Sequence, residues 1–238
     1  MADSPPINHT AILVPNRIAF VPNLHEIFVH RIKINVIGQI PLLMEEKYND
    51  VHSPYLYIKR YLDLILALIA IVLLCPLCLI ISFAIKIDSR GPIIFTQDRV
   101  GKDGRIFKMY KFRSMFSNVE SYAVNPMSQD DPRISRVGKF LRKTSLDELP
   151  QLFNVIKGEM SLVGPRPEMP FIVATYNEIQ RERLKMLPGI TGLWQLSGDR
   201  KKAIHENMDY DIYYSRNMSF FLDVAILIET LFFAFRGI

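Results

Sequence analysis

Leu64 to Ile85 runs for twenty-two residues without a charge, and Pro76 stands in its middle. As one straight helix the stretch is about 33 Å long, enough to cross the hydrocarbon core of a bilayer. Two features argue against a simple crossing. Proline removes a helix hydrogen bond and clashes with the preceding turn, so a break is expected at Pro76. Basic residues also stand at both ends, Lys59 and Arg60 before and Lys86 and Arg90 after, whereas lysine and arginine mark the cytoplasmic flank of a span. A helix that enters, breaks at Pro76 and returns to the same face satisfies both facts. Residues 54–90 are therefore read as a re-entrant membrane helix, and the remainder of the chain as a body on the cytoplasmic surface. That geometry suits an enzyme joining a water-soluble substrate to a lipid one.

Composition fits one embedded segment on a globular body: 49% of the residues are hydrophobic, and the mean hydropathy is +0.13. The net charge of +5 favours anionic lipid headgroups or phosphorylated ligands. Nucleic acid is set aside as a partner, because the basic residues form no single stripe and no nucleic-acid module is visible. The only cysteines, Cys75 and Cys78, lie inside the apolar segment, with no polar neighbour to activate a thiolate, and read as small apolar side chains. The five histidines (His9, His25, His30, His52 and His205) have no metal-ligand spacing.

Residues 1–50 differ from the rest. Ala11–Val14 and Glu26–Ile34 read as short strands, and Ile40–Met44 is a short apolar run. The set resembles the tail of an α/β domain, with 49–54 as linker. After the membrane segment, Ile93–Gln97 and Ile106–Phe112 predict a hairpin around the turn at Gly101–Gly104. Residues 114–135 read as a polar loop, and Val137–Lys143 and Leu149–Lys157 as short helices, the second stopped by Gly158. A surface helix is expected over Glu168–Leu187 and another over Ala203–Arg216. Phe220–Phe235 is apolar but carries Asp223 and Glu229, so it reads as a helix in the membrane interface or docked on the body.

The strongest site candidate is the run Ser145-Leu146-Asp147-Glu148-Leu149-Pro150-Gln151. Pro150 places a helix start near Asp147, so first-turn N–H groups and the positive dipole end favour a phosphate there. Of the two acids, one carboxylate is suited to attack phosphorus, and the other to hold Mg²⁺ against the phosphate charge. A plain helix cap is the competing reading, since Ser-x-x-Glu is a capping-box pattern. Around the pair lie Lys111, Arg113, Arg133, Arg142 and Arg166, each a candidate phosphate binder and each also readable as a solvated charge. Arg166 departs most from that bland reading. Pro165 and Pro167 fix its backbone, and Gly164 offers room for a ligand to approach. Trp194, the only tryptophan, follows a rigid Pro188-Gly189 turn and either stacks a base or plugs the core.

Taken together, these motifs resemble the bacterial sugar transferase family, the monotopic polyprenyl-phosphate sugar-1-phosphate transferases. The resemblance runs from about Lys59 to Ile238. It includes Lys59-Arg60 with Asp63, Gly91-Pro92, Lys111-Phe112-Arg113-Ser114-Met115 and Asp131-Pro132-Arg133-Ile134. It continues through Leu146-Asp147-Glu148-Leu149-Pro150-Gln151, Val163-Gly164-Pro165-Arg166-Pro167 and Pro188-Gly189-Ile190-Thr191-Gly192. It implies an α+β, mainly helical fold, with a broken membrane helix, a cytoplasmic catalytic domain over 91–238, a short β-hairpin and interfacial helices. It further implies that Asp147 attacks the β-phosphorus of a UDP-sugar and releases UMP, leaving an aspartyl phosphosugar that polyprenyl (undecaprenyl) phosphate then takes up. Glu148 would hold Mg²⁺, and Arg142 and Arg166 would bind phosphate or nucleotide. The setting implied is the cytoplasmic face of the bacterial inner membrane, at the first membrane step of exopolysaccharide, capsule or O-antigen synthesis.

Two departures accompany the resemblance. The family often has serine before the helix-breaking proline, where this chain has Cys75, and longer members carry further spans and an α/β domain before the catalytic part. Galactose or glucose is the favoured sugar, from Ile204-His205 and Asp209-Tyr210-Asp211. Partners expected are the UDP-sugar, the lipid phosphate and membrane lipid, with self-association a further option. A catalytically idle membrane scaffold is the rival from another class. Its mark would be loss of Asp147, Glu148 or Arg166, and all three are present. Direct transfer with Asp147 as a base is the mechanistic alternative.

Overall fold

A computed structural model of the chain describes residues 11–14, 17–20, 32–37, 40–45, 55–117, 119, 130–197 and 207–236. Contacts divide the chain into two units, Met1–Val51 and His52–Ile238. In the first, β1 (Ala11–Val14) pairs antiparallel with β2 (Arg17–Phe20), and β3 (Ile32–Ile37) with β4 (Ile40–Glu45). Only two residues separate the strands of each pair, which suits a hairpin and leaves no room for the crossover that parallel α/β strands need. The described strands thus form two hairpins. Of the strand expected over Glu26–Ile34, residues 26–31 lie outside the described residues.

The second unit begins with α1, Tyr55–Asp88, a 34-residue helix containing Pro76. The break expected from the sequence is absent: helix continues through the proline. A proline costs its helix one hydrogen bond and bends it without having to end it. Ser82 Oγ donates to the Cys78 carbonyl at 2.7 Å, a contact that also tends to bend helices.

One stripe of α1 covers the body. Ala67 packs with Phe107, Met109, Leu152 and Val155, while Ile81 and Ile85 pack with Phe112 and Leu141. The other faces are apolar and exposed, as at Val72, Leu73, Leu79 and Phe83. The body grips both ends of this helix. Near the start, Arg60 Nη1 donates to the Val155 carbonyl at 2.8 Å, and Ser161 Oγ donates to Asp63 Oδ2 at 2.6 Å. At the end, the Val137 N–H donates to Asp88 Oδ2 at 3.0 Å.

The sheet partner of α1 is the hairpin of β5 (Ile94–Val100) and β6 (Ile106–Phe112), in register from Ile94 opposite Phe112 to Val100 opposite Ile106. Asp103 (φ 56) and Gly104 (φ 77) both take left-handed backbone, which closes the turn in little space. Next come α2 (Arg136–Thr144), a 3₁₀ turn at Leu146–Glu148, and α3 (Gln151–Lys157), which ends on left-handed Gly158. Strand β7 (Ser161–Val163) pairs parallel with β8 (Gly189–Thr191).

Between those strands the single helix expected over Glu168–Leu187 is three short pieces: α4 (Pro170–Val173), α5 (Glu178–Arg181) and a 3₁₀ turn at Glu182–Lys185. Asn177 caps α5 with a full capping box to Gln180, so the chain restarts there instead of running on. Helix α6 (Leu193–Leu196) follows, then α7 (Asp209–Asn217) and α8 (Phe220–Arg236). The start expected for α7, at Ala203, lies outside the described residues.

The acid in apolar α8 has a structural use. Asp223 accepts from Lys59 Nζ at 2.5 Å, Tyr55 Oη at 2.6 Å and Tyr214 Oη at 2.6 Å, which ties α8 and α7 to the first turns of α1.

Candidate active site

The turn that carries Asp147 depends on Ser145, which adopts left-handed backbone (φ 56, ψ 16) and ends α2. Its hydroxyl makes no capping hydrogen bond to the turn that follows. The capping-box reading therefore fails, and the Glu148 side chain is used elsewhere. Its Oε1 accepts from Lys111 Nζ at 2.7 Å and from Arg166 Nη2 at 2.8 Å. Lys111 comes from the end of β6, and Arg166 from the Pro165–Pro167 loop after β7, so three separate elements converge on one carboxylate.

Asp147 meets the opposite environment. It is 8% exposed, and its carboxylate makes no hydrogen bond or ion pair among the described residues. Burial pushes its pKa up to about 6; the charge of Lys111 pulls against that rise, and that of Glu148 adds to it. For Glu148, burial alone would also raise the pKa, but Arg166 and then Lys111, by charge and hydrogen bonds, hold it well below the usual carboxylate range. Adjacent acids are thus driven apart: one is a firmly anionic, paired carboxylate and the other an unpaired carboxylate poised near neutrality.

The basic residues named from the sequence sort into two groups. Lys111 and Arg166 join the site. The Arg142 side chain makes no hydrogen bond or ion pair among the described residues and is half-buried; its charge helps to lower the Asp131 pKa and opposes the rise at Asp147. Arg113 and Arg133 depart from the expectation. The Arg113 guanidinium is buried and spent on backbone, donating to the Arg90 carbonyl at 2.9 Å and to the carbonyl and hydroxyl of Ser89 at 2.8 Å. Gly91 (φ 127) serves this packing, since a Cβ there would lie 2.1 Å from Arg113 Nη1. Arg133 forks onto Asp131, with Nε to Oδ1 at 2.9 Å and Nη2 to Oδ2 at 2.7 Å.

Gly164 is a second correction. A Cβ there would meet the Leu187 carbonyl at 2.6 Å, so the glycine admits the neighbouring chain rather than a ligand. That close approach lets the Gly189 N–H donate to the Pro165 carbonyl at 2.9 Å and sets the loop bearing Arg166.

Arg183 escaped the sequence reading altogether. It is 3% exposed and serves three acceptors: Tyr176 Oη at 2.6 Å, Asp211 Oδ2 at 2.5 Å and the Arg166 carbonyl at 2.5 Å. Asp211, one of the residues that favoured a hexose, is therefore buried beneath the Arg166 loop; Ile204 and His205 lie outside the described residues. Trp194 is half-buried on α6, and its indole N–H has no partner among the described residues.

No group of three or more acid, histidine or cysteine side chains gathers among the described residues. Mg²⁺ needs no such cage, since it takes one or two carboxylates and fills its shell with water and substrate phosphate. The second oxygen of Glu148, beside the unpaired carboxylate of Asp147, fits that requirement.

Comparison with known proteins decides the family. The profile described as "Bacterial sugar transferase" matches residues 54–237. This chain belongs to the bacterial sugar transferase family. A UDP-glucose:undecaprenyl-phosphate glucose-1-phosphate transferase of Klebsiella pneumoniae is 36% identical over 232 residues, covering 92% of this chain and 48% of that protein. Galactosyl transferase CpsE of Streptococcus agalactiae is 43% identical, covering 74% of this chain and 42% of its own length. Exopolysaccharide production protein ExoY of Sinorhizobium fredii is 38% identical, with 73% of this chain and 83% of that protein covered. The chain spans about half the length or less of the first two relatives.

Proposed function

We propose that this sugar transferase moves a sugar 1-phosphate from a UDP-sugar to polyprenyl phosphate. The observation that carries the reading is the contrast between the two acids: Asp147 is buried, unpaired and surrounded by the charges of Lys111, Arg142 and Arg166, while Glu148 is paired to Lys111 and Arg166 through one oxygen. A carboxylate kept free of partners beside three cations is suited to attack phosphorus in a diphosphate.

In the first step an Asp147 oxygen bonds to the β-phosphorus. The bond from that phosphorus to the bridging oxygen breaks, and UMP leaves with the bond's electrons. In the second, an oxygen of the lipid phosphate attacks the same phosphorus and the bond to Asp147 breaks, which restores the carboxylate. Lys111, Arg142 and Arg166 hold phosphate oxygens in line. Mg²⁺ bound through Glu148 supplies further neutralisation of the diphosphate charge.

A base role for Asp147 in direct transfer is the second reading, favoured by its pKa near 6. Incubation with a UDP-sugar labelled in the β-phosphate, without lipid acceptor, separates the two. The covalent route puts label on wild-type protein and releases UMP, and Asp147→Asn does neither. Absence of label from folded wild type, with turnover intact once lipid is added, would overturn the covalent route. Absence of turnover with any UDP-sugar would favour an idle scaffold.

For the sugar we keep galactose or glucose. The names of three relatives cite glucose, galactose and N-acetylgalactosamine, so membership of the family does not choose.

The membrane arrangement follows from α1. Its apolar faces, length and hydropathy suit a bilayer. One body holds both its ends, whereas a crossing helix has its ends in opposite compartments. We therefore place both ends on one side, with a bend at Pro76 and the body on the cytoplasmic face of the inner membrane. Exposed Phe221, Leu231 and Phe232 on α8 suit the interface there.

A further inference from the structure

We propose that the isoprenoid tail of the lipid phosphate acceptor lies in an apolar groove between α1 and α2. The proposal rests on the transferase reading above. The groove has a volume of about 470 Å³. Leu77, Ile81 and Ala84 recur at helical spacing and form its wall on α1, and Val137 and Phe140 form the wall on α2. Leu146 lines it as well, and Arg136 is the one charged residue in its lining.

Three observations select this occupant. First, the groove is built rather than left by loose packing. The Asp88–Val137 hydrogen bond pins the two helices together, and the lining residues Ile81 and Leu141 belong to the core. Its outer walls nevertheless stay open, with Ile80 66% and Phe140 59% exposed. Apolar walls of this kind favour a hydrocarbon chain over water.

Second, the groove reaches the turn that carries the site. Leu146 immediately precedes Asp147, so a tail lying against Leu146 brings its head to the turn that bears the nucleophile.

Third, the one charge in the groove's lining is a cation, complementary to a phosphate monoester. Arg136 is exposed and makes no side-chain hydrogen bond or ion pair among the described residues, and Arg142 on the same helix faces Asp147. An acceptor with one chain and one phosphate matches a single apolar groove whose lining holds one arginine, on the helix whose Arg142 faces Asp147. The space holds only the units nearest the phosphate, and the rest of a long tail runs out between the exposed faces of α1 into the bilayer.

The test is photolabelling of the full-length protein in nanodiscs, using a polyprenyl phosphate with a photoreactive group on its first isoprene units. Label is expected on peptides of α1 around Leu77–Ala84 or of α2 around Arg136–Leu141. Excess polyprenyl phosphate should compete it away, and the same amount of phosphatidylglycerol should not. Ala84→Phe fills the groove and should cut labelling about tenfold, the factor expected when about two methylene groups lose their burial. Phe140→Ala removes an exposed wall without touching the core, and serves if the larger variant misfolds; it too should cut labelling. Label elsewhere, equal competition by phosphatidylglycerol, or full labelling of both variants would overturn the groove. Acceptor-free UMP release by wild type tests the transferase reading separately, so the two failures are distinguishable.

Discussion

Asp147 and Glu148 share a turn, a charge type and a buried setting, yet their ionisation diverges because partners reach only one of them. Glu148 receives two cations, and Asp147 bears a desolvation cost that the nearby charges of Lys111, Arg142 and Arg166 only partly offset. Folding raises the Asp147 pKa from 3.8 to about 6, so the folded state favours its protonated form. Ionised Asp147 therefore costs stability above pH 6. That cost shrinks as pH falls through the window and is gone below the unfolded value. The shift corresponds to roughly 3 kcal/mol at neutral pH. Asp147→Asn is isosteric and neutral, so it should abolish UMP release while raising the melting temperature at pH 7.5. The gain should vanish only below the unfolded value of 3.8, and scanning both proteins down through that range checks it. An equal gain at every pH would mean that the carboxylate charge is not its source. Wild-type UMP release should also fall as pH drops below 6, when the nucleophile becomes protonated.

Between elements, the decisive contact is Arg183 with the Arg166 carbonyl. It links the 3₁₀ turn at Glu182–Lys185, helix α7 through Asp211, and the Pro165–Pro167 loop. We read Arg183 as a positioning residue that aims Arg166 at Glu148. Arg183→Gln leaves Asp211 buried without its cation and should destabilise by about 3–5 kcal/mol, read from thermal or denaturant unfolding. Arg183→Lys keeps a charge for Asp211 but cannot serve three acceptors with one planar fork. It should retain more stability than Arg183→Gln while lowering kcat more than it raises KM for the UDP-sugar. A lysine variant with wild-type kcat would reduce Arg183 to a fold residue.

For the molecule as a whole, the question is on which side each end of α1 lies. Tyr57 and Ile87 are both highly exposed near opposite ends, and Cys75 and Cys78 are the only native cysteines. In a Cys75→Ser, Cys78→Ser background, Tyr57→Cys and Ile87→Cys should both resist a membrane-impermeant thiol reagent in intact cells and both react after lysis. Reaction of one alone in intact cells would mean a crossing helix.

Features encoded locally were legible in the chain. Alternating β-rich runs around Gly101–Gly104 foretold the β5–β6 hairpin, Gly158 foretold the end of α3, and an uncharged run foretold a long apolar helix. The adjacent acids and the proline-framed Arg166 also stood out, because rigidity and charge density are readable from neighbours in sequence. What only the tertiary structure decided was which charge meets which. Arg113 and Arg166 were both candidate phosphate binders, yet the first is spent on Ser89 and Arg90 and the second reaches Glu148. Asp223 looked misplaced in an apolar helix until Lys59 and Tyr55, more than 160 residues away in sequence, closed on it. Local pattern records propensity and period, which act over a few residues, whereas ion pairing and burial act through space between chain segments that only folding brings together.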